Sequence, residues 1–190
     1  VMRQKILSFL IVIACAVTAA TYDFEVDGIC YNITSNTAPY MVEVTYKGVS
    51  DGRSDSKYGE IGITIPSSVT HAGRAYAVTA IGDSAFFGES KIQYFKLPNS
   101  IKTIGKSAFA YACVQDRNYY IKNCFTIPDS VTSIGDFAFS SCNIVSLVIP
   151  LSVTSIGRYA FWGTSGLRNI NFFPYGLPSP RIGRRAFEGT

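Results

Sequence analysis

The sequence predicts a mainly β solenoid: about five coils of 22–30 residues, built from short parallel strands and tight or short helical turns. Three observations carry this. Ile-Gly-x-x-Ala-Phe occurs five times, at 81–86, 104–109, 134–139, 156–161 and 182–187. Its starts are 23, 30, 22 and 26 residues apart, a coil-sized period with insertions. Four copies follow a short apolar run that ends in proline.

Each unit reads as an apolar strand ending in Pro, then x-Ser-Val-Thr-x or a close variant, then Ile-Gly-x-x-Ala-Phe and a small or polar corner. The strands are Ile63-Thr-Ile-Pro66, Phe95-Lys-Leu-Pro98, Phe125-Thr-Ile-Pro128 and Leu147-Val-Ile-Pro150, with Ile170 to Pro174 a looser fifth. Residues one and three before Pro are apolar and share a face, because strand side chains alternate. Thr64, Lys96, Thr126 and Val148 lie between them and face out. Pro ends the ladder because it has no N–H to donate.

Val69, Ile101, Val131 and Val153 then point inward, followed in the last three by Ile104, Ile134 and Ile156. Gly82, Gly105, Gly135, Gly157 and Gly183 hold one phase, which requires either positive φ or close approach of neighbouring coils. Phe86, Phe109, Phe139, Phe161 and Phe187 are expected to form an interior ladder, and the preceding Ala leaves room for it.

The ends differ. Residues 1–20 read as a secretory leader: Arg3 and Lys5, an apolar run from Ile6 to Val17, then small residues for cleavage after Ala19 or Ala20. The run is shorter than the roughly 20 residues of a membrane span. Val12-Ile-Ala-Cys15 offers an alternative, a lipobox with Cys15 as lipid anchor, although no polar tether follows it. Residues 21–59 read as a β-hairpin cap and polar loop: Phe24 and Val26 alternate with acids, Asp27-Gly28 is a two-residue turn signal, and Ile29, Tyr31 and Ile33 alternate on the return.

The solenoid takes residues 60–190. Its first unit places Ile81 15 positions after Pro66, against 6 in the three central units, and the extra stretch from His71 to Thr79 reads as a hairpin. The 30-residue step carries an insert around Cys113 to Tyr120, and Pro174, Pro178 and Pro180 crowd the fifth turn. The chain reaches Thr190 where a sixth strand is expected, which predicts a truncated array or another cover for that end.

The motif Ile-Pro-x-Ser-Val-Thr-x-Ile-Gly-x-x-Ala-Phe resembles the BspA-type leucine-rich repeat family of bacterial surface proteins. The opening from Tyr22 to Ile33 is similar to the start of such proteins from Bacteroides-like bacteria. The resemblance implies a leucine-rich-repeat solenoid and an extracellular or cell-surface, non-enzymatic protein. Better-known members are described as adhesins contacting host matrix proteins or other bacteria. It implies no catalytic residues.

Chemistry is sparse. A net charge of +4, or +2 without the leader, makes no nucleic-acid footprint, and no basic stripe is interleaved with aromatics. His71 is the one histidine, expected in a solvated loop, so a histidine-built zinc site or a Ser-His-Asp triad is close to excluded. No Cys-x-x-Cys, phosphate-loop or dinucleotide motif occurs, and no metal or cofactor is expected. Asp83, Lys106, Asp136, Arg158 and Arg184, each after Ile-Gly, are mixed in sign and make a solvated column, not an acid–base pair. Cys142 reads as a half-buried corner residue. Cys113 and Cys124 bracket the insert and could form a disulfide in an oxidising compartment, or serve as small apolar residues.

Binding is therefore assigned to the outward strand face: Gln93, Tyr94 and Lys96; Asn123 and Thr126; Val145, Ser146 and Val148; then Arg168, Asn169 and Asn171. Strands stacked about 4.8 Å apart give a face roughly 20–25 Å tall, suited to an extracellular protein segment or a glycan chain. Each of these residues is equally what a solvent-tolerant position would carry. Adhesion to protein, glycan capture with Tyr94 as the cue, and a passive spacer in a longer polypeptide stay open.

Overall fold

The computed structural model describes residues 22–46, 62–113, 125–172 and 179–190. The leader with Cys15, the polar loop, and Asn123 and Cys124 lie outside the described residues. The expected insert is described only at Cys113 and the crowded fifth turn only at Pro180.

Alternation builds the cap. Strands β1 (Phe24–Val26) and β2 (Ile29–Ser35) form an antiparallel hairpin with Phe24 opposite Tyr31. Asp27 and Gly28 turn it with φ of 49° and 81°, the left-handed pair a two-residue hairpin needs. Strand β3 (Met41–Thr45) returns antiparallel to β2. Strand β4 (Gly62–Thr64) opens the first coil, and the stretch after Pro66 is a second hairpin. There β5 (Ser68–His71) pairs with β6 (Arg74–Ile81) around Ala72-Gly73. His71 thus ends a strand instead of sitting in a loop, and its ring stacks on Phe24 at 4.2 Å and 5°.

Strand β3 pairs parallel with β6, matching Val44 to Ile81, so the cap is continuous with the coils. The sheet then runs through β8 (Thr103–Ile104), β9 (Ser133–Ile134), β11 (Ser155–Ile156) and β13 (Arg181–Ile182), nine strands counting β5. Ile81, Ile104, Ile134, Ile156 and Ile182 stand in register along it. The proline-ended strands are less continuous. Strand β4 pairs with β7 (Tyr94–Lys96), and β10 (Ser146–Ile149) with β12 (Asn169–Phe172). Phe95 and Phe125 share a single bridge between these pairs. No helix occurs among the described residues, and none there is long and apolar enough to cross a membrane.

Phe86, Phe109, Phe139 and Phe161 are fully buried, and their rings stack at 5.3, 5.3 and 5.2 Å, with Phe187 adding a step at 5.1 Å. Phe95 and Phe125 form a second column whose rings meet Phe109 edge-on at 4.9 and 4.7 Å. Cys142 is buried, not half-buried: its Sγ–H donates to the Phe109 carbonyl at 2.8 Å. Cys113 is also buried.

The glycine after Ile serves close approach and not positive φ. A Cβ on Gly135 would lie 2.6 Å from the Gly105 carbonyl carbon, and one on Gly157 2.4 Å from the Asp136 nitrogen. Left-handed φ falls two residues later, on Ser84, Ser107, Phe137, Tyr159 and Arg185, all between 54° and 57°. It recurs on Gly88, Tyr111, Ser141, Gly163 and Gly189. These flips aim alternate N–H groups at the next coil. Phe109 N–H, for example, donates to Ala138 O and Tyr111 N–H to Ser140 O, both at 2.8 Å.

Ser141 holds φ 56° where Gly88 and Gly163 occupy the same phase. A left-handed L-residue costs about 1–2 kcal/mol, partly offset by the extra freedom glycine has when unfolded. Ser141→Gly should therefore stabilise by about 0.5–1 kcal/mol, read as a rise of roughly 2 °C in Tm. A fall in Tm would mean that the serine side chain outweighs backbone strain.

At the cap junction, burial raises the Glu43 carboxyl pKa, a hydrogen bond from Asn32 lowers it, and the Asp83 charge raises it further. The folded chain holds this proton more tightly, so stability contributed below the ordinary value of 4.5 is lost as pH rises through the raised one. Glu43→Gln should melt above the parent chain at pH 7 and coincide with it near pH 3. Coincident melting at both pH values would dismiss the effect.

Candidate binding face

The outward strand face divides into two patches. In the first, Tyr94 stands opposite Gly62 and Lys96 opposite Thr64. A Cβ on Gly62 would fall 2.4 Å from the Tyr94 ring, so glycine lets that ring lie against the backbone, still 44% exposed. Gln93 flanks it, exposed. In the second patch Ser146 pairs with Asn169 and Val148 with Asn171. Val148 is 47% exposed and Leu151, beyond the proline, 57%.

Thr126 is exposed beside Phe125, whose bridge to Phe95 ties it to the first patch. Arg168 is exposed, while its backbone N–H donates to Val145 O at 2.9 Å. Ser146 and Val145 are only partly exposed. Among the described residues, the side chains of Tyr94, Lys96, Thr126, Arg168, Asn169 and Asn171 make no hydrogen bond or ion pair. Their polar groups are thus solvated and available to a partner, beside apolar area at Tyr94, Val148 and Leu151.

In the column after Ile-Gly the two carboxylates tie neighbouring coils together. Asp83 accepts the Lys106 backbone N–H and Asp136 accepts that of Arg158, each at 2.7 Å. The serine of Pro-x-Ser-Val acts likewise: Ser100 Oγ donates to Val78 O and Ser130 Oγ to Ile101 O, both at 2.6 Å. Among the described residues, no group of three or more His, Cys, Asp or Glu could hold a metal ion.

The sequence reading passed over a second aromatic set, on the turns. Exposed Phe87 and Tyr111 meet edge-on at 5.6 Å, half-buried Phe137 stacks on Tyr159 at 5.0 Å, and Trp162 is 40% exposed. Arg185 donates to the Tyr159 hydroxyl at 3.4 Å. The available signal was aromatic residues at the variable positions around Ala-Phe.

A family model described as "BspA type Leucine rich repeat region" matches residues 63–126 and 79–190, in six copies. The chain belongs to that family. This BspA-type repeat chain is also similar to solved structures. The pneumococcal vaccine antigen PcpA superposes with a TM-score of 0.66 at 21% identity, over 87% of this chain and 41% of that one. The T. pallidum leucine rich repeat protein gives 0.65 at 22%, over 87% and 66%. A leucine-rich repeat protein from Bacteroides capillosus gives 0.60 at 25%, over 80% and 98%. The chain thus spans less than two thirds of the first two, and those two likenesses show the fold alone. No curated protein matches the chain in sequence.

Proposed function

We propose that this BspA-type chain is a non-catalytic binding module outside the cell, presenting its outward strand face to a protein partner. The observation that carries the reading is the face itself: solvated polar side chains beside exposed Tyr94, Val148 and Leu151, on a scaffold whose interior is filled by packing residues. Mixed apolar and polar area on a rigid surface suits a protein segment, from a host matrix or another bacterial surface. Export through the 1–20 leader, or anchoring at Cys15, places the module there.

Glycan capture is the second reading, favoured by the exposed Tyr94 ring. The experiment is a solid-phase screen of the chain against extracellular-matrix proteins and a glycan array, repeated with Tyr94→Ala/Val148→Asp. The expected result is binding to a protein, weakened at least tenfold by the double variant at unchanged Tm. Glycan-only binding would transfer the assignment to sugars. Silence in both screens would favour a spacer, and undiminished binding by the variant would place the site off the strand face.

A further inference from the structure

The junction of cap and solenoid carries a cleft of about 280 Å³, bordering the first patch of the strand face at Gly62 and Thr64. Val26, Asp27, Ile29 and Tyr31 of the first hairpin form one side; Gly62 to Thr64 and Pro66 form the other. Three features there are unusual together.

The first is an open strand edge. Among the described residues strand β4 pairs only with β7, and Ile65 N–H donates to Lys96 O at 2.9 Å. Backbone groups alternate sides along a strand, so Ile63 and Ile65 face β7 while Gly62 and Thr64 turn theirs toward the cleft. Both of the latter line it. An open edge of this kind can accept one more extended strand.

The second is an orphaned hydroxyl. Tyr31 is fully buried against the cleft, and its Oη has no hydrogen-bond partner. Burial, then the charges of Asp27 and Cys30, push its pKa up to about 12, so it remains a neutral phenol able to donate or accept. A buried polar group without a partner is costly, and a donor reaching the cleft floor would relieve it.

The third is charge. Residues 22–46 hold four acids, Asp23, Glu25, Asp27 and Glu43, and no lysine or arginine. Asp27 is exposed at the hairpin tip, at the cleft. Ile29, Ile63 and Pro66 supply an apolar wall of the kind along which the methylene stem of a basic side chain lies.

We propose that this cleft takes an extended segment of a partner protein, which adds a strand to the open edge of β4 and seats one lysine or arginine between Asp27 and Tyr31. The volume suits one side chain instead of a drug-sized molecule. The cleft shares Gly62 and Thr64 with the first patch but neither Tyr94 nor Val148, so Asp27→Asn tests it separately from the Tyr94→Ala/Val148→Asp variant.

The test is amide chemical-shift mapping on the full chain, with acetyl-Val-Thr-Lys-Val-Thr-amide as probe and arginine, norleucine or glutamate replacing its central lysine. The lysine and arginine peptides should shift the amides of Tyr31, Gly62 and Thr64, and the glutamate peptide should not. Asp27→Asn keeps a residue that tolerates left-handed φ and should weaken the lysine peptide about tenfold. N-methylating the probe backbone should weaken it similarly, and Tyr31→Phe is a second variant that removes only the hydroxyl. No shift at millimolar probe, equal shifts from lysine and glutamate peptides, or an unaffected Asp27→Asn would overturn the proposal. So would Gly62 and Thr64 amides already protected from exchange without peptide, since the chain itself would then fill the cleft.

Discussion

Phe109→Ala is expected to cost about 3–5 kcal/mol, the range for emptying a buried aromatic site. The Phe109 ring stacks on Phe86 and Phe139 at 5.3 Å and receives Phe95 and Phe125 edge-on. Ala85, Ala108 and Ala138, the buried alanines of the motif, have no side-chain length with which to fill the space. In a solenoid each coil is stabilised mainly by its neighbours, so a cavity in the middle also weakens coupling between the two halves. Denaturant unfolding should show a lower midpoint and a broadened transition. Phe187→Ala is the comparison: that ring stacks on Phe161 and is only partly buried. Its loss should be less than half as large. Equal losses at the two positions would show that the ladder is not the organising contact.

Gly157→Ala should be nearly as severe, about 3 kcal/mol, for the opposite reason. The added methyl would sit 2.4 Å from Asp136 N, 2.5 Å from Gly135 C and 2.6 Å from Asp136 Oδ1. Two of these are backbone atoms, so relief requires the coils to separate. Separation would stretch the bond from Gly157 N–H to Ile134 O, now 2.8 Å, and that from Arg158 N–H to Asp136 Oδ1 at 2.7 Å. Gly88→Ala supplies the contrast. Nothing lies within 4 Å of a Cβ there, but φ is +75°, so the cost should be the backbone term alone, about 1 kcal/mol. Thermal melting of the two variants ranks the effects. A larger loss in Gly88→Ala would show that conformation, and not coil spacing, governs these glycines.

By itself the sequence determined the solenoid class, the phase of each coil and the family. Those follow from local rules: side chains alternate along a strand, proline ends a ladder, and a motif recurring at coil length puts like residues in one layer. The inward Ile and Phe and the outward Thr64, Lys96, Thr126 and Val148 were legible on that ground. Only the tertiary structure decided which requirement the motif glycine meets, because closeness between coils concerns atoms some 22–30 residues apart. It also moved the left-handed backbone onto Ser84, Ser107, Phe137, Tyr159 and Arg185, residue types that do not announce such φ. Among the described residues, the longest sheet proved to run through the Ile-Gly segments and into β3 of the cap, while the proline-ended strands formed two pairs joined by one bridge. The candidate face shared that fate: its outward residues could be read from alternation, but which stand side by side depends on strand register. The cleft at Asp27 and Tyr31 left no mark in the sequence, since a hairpin tip and a strand that begins 35 residues later meet only in the fold.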